Sequence, residues 1–272
     1  EDLNPIDEAS SISNIIKLDQ DEQIVSVVPV KSFDEDIDIT ISTKNGMVKR
    51  TKLSDFKSLR YTKPINCMKL KDEDEVIDAF ITKYNNIFVS TNKSYGLWYD
   101  VSEIPVVGLR TSGVKSINLK DDFVVGVSNF DAYTDEYITV ITDKGTAKRI
   151  KITDLEKTSR AKRGLLILRE VKTNPYRIVK TLITGSRDYV GIKTSDIKMF
   201  KNSEFPIMDR YSTGSTIVKE QVLDAFKAVT LIKKEDLVQD VELKEEKPTK
   251  KVSLKEIDDR LMTIDDFIDI DV

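Results

Sequence analysis

The feature that most constrains this chain is a pattern that it repeats four times. Residues Ile41–Phe56 align without gaps to Val89–Ile104, to Val140–Leu155 and to Val190–Phe205. The anchors Ser54-Asp55-Phe56, Ser102-Glu103-Ile104, Thr153-Asp154-Leu155 and Ser203-Glu204-Phe205 recur at spacings of 48, 51 and 50. Self-similarity at such a period means structurally equivalent units that bury their apolar faces against one another.

Each unit opens on an apolar strand: Ile24 to Val28, Val76 to Phe80, Phe123 to Val127, and Tyr176 to Val179. A hairpin follows, signalled in the first and third units by Asn45-Gly46 and Lys144-Gly145, where glycine supplies the positive φ of a tight turn. Each unit then passes through a loop holding Arg60, Arg110, Arg160 or Arg210 and closes on another apolar strand, such as Ile65 to Leu70 or Val114 to Leu119. The expected fold is all-β: a propeller-like pinwheel of four-stranded antiparallel blades, about 50 residues each. The blades are expected at about 22–70, 71–120, 121–172 and 173–220. Residues 1–21 and 221–234 read as partial blades, because Ile12 to Leu18 resembles a closing strand and Val222 to Ile232 an opening one. Residues 1–234 thus form one body. The two partial units either close a ring or mark further blades upstream.

Period-2 alternation within the hairpins sorts side chains between faces. Val48, Arg50 and Lys52 share one face, and Lys49, Thr51 and Leu53 the other. In the third unit Arg149 and Lys151 oppose Lys148, Ile150 and Ile152. The second unit has Leu97, Trp98 and Asp100 instead, and the fourth has Lys198 and Lys201. The reading is an interrupted basic belt on solvated outer strands, in which Arg149 and Lys151 point outward and carry little packing.

Composition removes most enzymes. The chain has 272 residues, enough for a substantial core, and contains no histidine, which excludes the commonest general base, the Ser-His and Cys-His pairs and most zinc sites. No G-x-x-x-x-G-K-[ST] or G-x-G-x-x-G loop marks a phosphate cradle. Asp34-Glu35-Asp36 and Asp72-Glu73-Asp74-Glu75 lack the ligand alternation of a calcium loop and read as solvated turns, so no metal site is expected. No apolar run is long enough to cross a bilayer, the first residues lack a secretion-signal pattern, and Cys67 has no second cysteine to pair with. These features point to the cytoplasm.

The net charge of −4 hides an asymmetry. Residues 151–234 carry 18 Lys and Arg against 9 Asp and Glu, whereas residues 235–272 carry 6 against 13. A basic surface therefore precedes an acidic tail. Glu235 to Thr249 reads as a linker, and the helical spacing of Leu254, Ile257, Leu261, Ile264 and Ile268 predicts an amphipathic helix over 253–268.

At these residues the chain resembles a known family. The Val48-Lys49-Arg50 to Phe56 strand, the opener Asp21 to Val30 and the arginine loop with its following apolar strand look like the repeat in the C-terminal domains of the A subunits of bacterial type IIA topoisomerases. The resemblance covers nearly all of residues 10–232. It implies a pinwheel whose rim binds and bends duplex DNA without reading sequence, beside a catalytic core elsewhere in the same polypeptide. The implied DNA-binding residues are Lys49, Arg50, Lys52, Arg60, Lys63, Arg110, Lys115, Lys148, Arg149, Lys151, Arg160, Lys162, Arg163, Lys198, Lys201 and Arg210. Gyrase members carry a Gln-Arg-Arg-Gly-Gly-Lys-Gly box in the first blade, and its nearest approach here is Ser159-Arg160-Ala161-Lys162-Arg163-Gly164. The topoisomerase IV branch is the better fit, with gyrase, and negative supercoiling by DNA wrapping, as the alternative.

That resemblance also implies partners: the B subunit of the heterotetramer, and the catalytic core carried by the same polypeptide. Magnesium and ATP would be bound by those parts, with no cofactor in this chain. Arg60-Tyr61-Thr62 looks like the family's cleavage tyrosine pair but falls in an inter-strand loop, so no catalytic residue is expected. A propeller enzyme would need converging catalytic groups that these repeats do not reveal, and the remaining alternative is a protein-interaction propeller. Against it, the chain has no Gly-His to Trp-Asp repeat, and Trp98 is its one tryptophan.

Overall fold

The computed structural model describes residues 18, 22–57, 64–71 and 73–228. The closing strand expected at Ile12 to Leu18 lies, but for Leu18, outside them, as do Arg60, Tyr61, Lys63 and the tail with its amphipathic segment. The described residues form four antiparallel sheets arranged in a ring, joined by turns and four short 3-10 segments.

The first sheet is built on the hairpin β1 (Asp38–Thr43) and β2 (Met47–Lys52), with β3 (Val76–Ile81) beside β1 and the two-residue β6 (Val114–Lys115) beside β2. The second has the hairpin β4 (Asn86–Thr91) and β5 (Tyr95–Asp100), flanked by β7 (Val124–Phe130) and β10 (Leu165–Leu166). The third has β8 (Tyr137–Thr142) and β9 (Thr146–Lys151), flanked by β11 (Ile178–Thr184) and β14 (Ser215–Thr216). The fourth pairs β12 (Tyr189–Lys193) with β13 (Ile197–Lys201) and β15 (Asp224–Ala228). Residues of β3, β7, β11 and β15 line a central cavity of about 650 Å3, which places the other ends of the sheets on the rim.

The sheets are offset from the sequence units. A unit gives its hairpin to one sheet, but its opening and closing strands to the sheet of the unit before it. Val76–Ile81 opens the second unit yet pairs with the first unit's hairpin, Ile39 opposite Ile81. Val114–Lys115 closes the second unit and pairs with Val48 and Met47 of the first. The physical reason is edge satisfaction: a hairpin alone leaves two rows of unpaired backbone groups, and a neighbour's strands cover both. Ile24 to Val28, expected as a strand, belongs to no sheet. By the same rule its partner would be a hairpin preceding residue 22, and none stands among the described residues. Instead Ser26 Oγ donates to the Ala79 carbonyl at 2.5 Å, and Val28 and Val30 pack on Ile39, Ile41, Leu53 and Met68.

Three crossings fasten successive sheets in the same way. After its 3-10 turn the incoming chain makes a parallel bridge with the outer hairpin strand: Val106 to Arg50, Lys157 to Trp98, Ile207 to Arg149. It then passes its arginine loop and reaches a glycine in the left-handed region, Gly113, Gly164 or Gly214, with φ of 75°, 83° and 83°. A Cβ on Gly164 would lie 2.3 Å from the Gly96 carbonyl oxygen, and one on Gly113 2.4 Å from that of Val48. Only glycine allows this approach, which delivers the short outer strand to its partner. Apolar cores fill the seams behind: Ile104 and Ile117 of the second unit, buried to 0% and 1% exposure, share a cluster with Val48 of the first.

Gly164→Ala should therefore destabilise the fold by about 2 kcal/mol or more through strain and clash. Gly108→Ala, whose Cβ would meet nothing within 4 Å, should shift stability by less than about 0.5 kcal/mol. Urea titration followed by circular dichroism separates the two outcomes.

Candidate nucleic-acid interface

The structure divides the candidate cations into three groups. The first is buried, contrary to the expected outward belt. Lys49 and Lys148 have no solvent exposure, and Arg149 retains 7%. Lys49 Nζ donates to the carbonyls of Gly108 (2.9 Å) and Leu109 (2.7 Å) in the following unit. Lys148 Nζ donates to the carbonyls of Asp209 and Ser212, both at 2.8 Å. Arg149 Nε donates to the Phe205 carbonyl at 2.7 Å, and its guanidinium stacks 4.7 Å from the Tyr137 ring. Arg50 repeats this in the first sheet, with Nε to the Ile104 carbonyl at 2.9 Å and Nη1 to Asp38 at 3.3 Å. The reason is the offset of units: the incoming loop covers the outer hairpin strand, so both its faces are packed. Burial lowers the pKa of Lys49 and takes that of Lys148 down to about 8, which leaves Lys148 largely charged at neutral pH.

The second group is tied to carboxylates. Lys52 meets Asp36 at 2.7 Å and Asp38 at 3.5 Å, and Lys198 pairs with Glu220. The acidic turns are spent in the same way: Asp34 binds Lys57 at 2.8 Å, while Glu75 binds Lys44 at 2.6 Å. Among the described residues no group of three or more carboxylate, cysteine or histidine side chains could hold a metal ion.

The third group reaches solvent on the rim. Arg110, Lys115, Lys151, Lys162 and Lys201 are exposed and make no ion pair among the described residues. Arg210 is half-buried against the Tyr211 ring, 4.3 Å away. Arg160 and Arg163 turn inward: Arg160 Nε donates to the Glu103 carbonyl at 3.0 Å, and Arg163 Nη1 to that of Leu119 at 2.9 Å.

Backbone bonds join the exposed loops into one track. Lys69 N–H donates to the Thr111 carbonyl beside Arg110, Asn118 N–H to that of Lys162, and Arg169 N–H to that of Ser212, two residues past Arg210. Lys69, Lys120, Arg169 and Lys219 on the closing segments are exposed and add to it. Sequence reasoning missed Lys69 and Arg169. Their signal was available, since both stand at the same place after the arginine loop, but Asn118 occupies that place in the second unit.

Comparison with known proteins decides the family. The model described as DNA gyrase C-terminal domain, beta-propeller, matches residues 10–31, 38–83, 85–131 and 136–184. The chain belongs to that family. A curated relative, the A subunit of DNA topoisomerase 4 from Bacillus subtilis (strain 168), is 42% identical over 224 residues, covering 81% of this chain and 28% of the relative. The chain thus spans under a third of that protein's length. The crystal structure of the C-terminal domain of DNA topoisomerase IV superposes with a TM-score of 0.77 at 38% identity, covering 80% of this chain and 70% of that one. A DNA gyrase A C-terminal domain shares the fold, with a TM-score of 0.70 at 18% identity, over 81% of this chain and 75% of its own.

Arg149→Ala should cost about 2 kcal/mol or more, because it strands the buried Phe205 carbonyl and unpacks Tyr137. Lys151→Ala, at an exposed strand end, should change stability by less than about 0.5 kcal/mol. Thermal unfolding of the two variants beside the parent protein measures the difference.

Proposed function

We propose that the rim binds duplex DNA through its phosphate backbone, as the C-terminal domain of a topoisomerase IV A subunit. The observation that carries this reading is the connected track of exposed cations on the arginine loops and closing segments, none of which makes an ion pair among the described residues. Arginine and lysine on such a track neutralise phosphates and release counterions, a term that is blind to sequence. Selectivity then comes from how easily the duplex bends along a curved rim. The bent segment is presented to the catalytic core for strand passage, in support of relaxation, decatenation and chromosome segregation.

The similarity to A subunits of topoisomerase 4 favours this branch over wrapping by a gyrase. Cleavage chemistry, magnesium and ATP are assigned to other domains and to the B subunit, and this chain acts as the DNA-binding part. No helix among the described residues is long and apolar enough to cross a membrane, in keeping with work on the nucleoid in the cytoplasm.

If the track neutralises about six phosphates, log affinity should fall against log salt with a slope of roughly −5. Fluorescence anisotropy with random-sequence duplex over a salt series gives that slope. A flat response, or strong preference for one short sequence, contradicts the reading.

A further inference from the structure

We propose that Lys49 and Lys148 are positioning residues, each holding the next unit's arginine loop in the shape that displays Arg110 or Arg210, without touching the duplex. The proposal rests on the reading of the rim as a DNA-binding surface and assigns these lysines a different part in it. Lys49 Nζ is bonded to the carbonyls of Gly108 and Leu109, the two residues before Arg110. Lys148 Nζ is bonded to the carbonyls of Asp209 and Ser212, which bracket Arg210 and Tyr211. Both side chains are fully buried, so neither ammonium reaches a phosphate. Such a loop lacks a ladder of its own, and ordering it costs about 1–2 kcal/mol per residue in backbone entropy. One charged donor that gathers two of its carbonyls offsets that cost.

The middle seam is a control built into the molecule. There Leu97 stands in place of the lysine, and Arg160 turns back to do the holding: its Nε meets the Glu103 carbonyl, and its own N–H meets Glu103 Oε2 at 2.8 Å. That loop exposes Lys162 instead. Where the buried lysine is present the loop arginine is not drawn into the seam: Arg110 is exposed, and Arg210 lies half-buried on the exposed Tyr211 ring. Where the lysine is absent the arginine is consumed.

Trypsin cuts after arginine and reads loop order directly, with no DNA present. Lys148→Met should speed cleavage after Arg210 by roughly tenfold while leaving the rate after Arg110 unchanged, and Lys49→Met should do the reverse. On random-sequence duplex, Arg210→Ala and Lys148→Met should each weaken binding roughly threefold to tenfold, and the double variant should bind no worse than the weaker single. Lys148→Arg, which keeps the donors, should restore both readouts. The two seams are read separately, so a folding failure at one leaves the other to decide. Equal cleavage rates, or additive affinity losses with a further drop in salt slope, would overturn the positioning role and make the lysines phosphate contacts or plain core. If the parent protein fails to bind duplex at all, the DNA-binding reading falls. Intact salt-dependent binding with unaltered cleavage sinks only the present proposal.

Discussion

The structure depends on cations that cross a seam between units to reach backbone carbonyls. An ammonium or guanidinium taken out of water is costly, and it is tolerated here because Lys49, Lys148 and Arg149 reach backbone carbonyl oxygens of the irregular segments that cross the seam. Either partner alone would be a liability. Removing Lys49 or Arg149 takes away the donor to the Leu109 or Phe205 carbonyl, and removing the loop strands a buried charge. The exchange of strands between units follows the same logic, since a hairpin's open edges are closed only by the neighbour's opening and closing strands. The left-handed glycines make that closure possible by allowing backbone to lie against backbone.

These constraints explain how far the sequence could be read. The period of about 50 residues and the strand alternation led directly to an all-β pinwheel of antiparallel blades, with ring closure left open, and the glycine turn at Gly46 sits where its hairpin required it, with φ of 76°. Strand exchange was not legible, because a repeat has the same local pattern whether its strands stay in one sheet or are shared between two. That ambiguity misplaced the Lys49-Arg50 and Lys148-Arg149 pairs. Alternation correctly sets neighbours on opposite faces, but it carries no word of a loop from about 60 residues downstream covering the strand.

The separation of roles has a functional consequence. The basic pairs that make the repeat recognisable are used to build the ring, so the charge available to a ligand comes from less regular places: Arg110, Lys115, Lys162 and the closing-segment cations Lys69 and Arg169. Ion pairs such as those of Lys44, Lys52, Lys57 and Lys157 fall on other cations than these. A scaffold can then diverge at the rim without loosening its seams, as the second sheet shows with Leu97 and Trp98, where Trp98 Nε1 bonds Asn86 at 3.0 Å in place of an inter-unit arginine.

Lysine footprinting tests this division most directly: acetylate the protein with and without duplex and read each lysine by mass spectrometry. The account predicts that Lys69, Lys115 and Lys162 react freely and are protected by DNA, while Lys49 and Lys148 stay unreactive in both states. Reactivity of Lys49 and Lys148 in the free protein, lost when duplex is added, would contradict it.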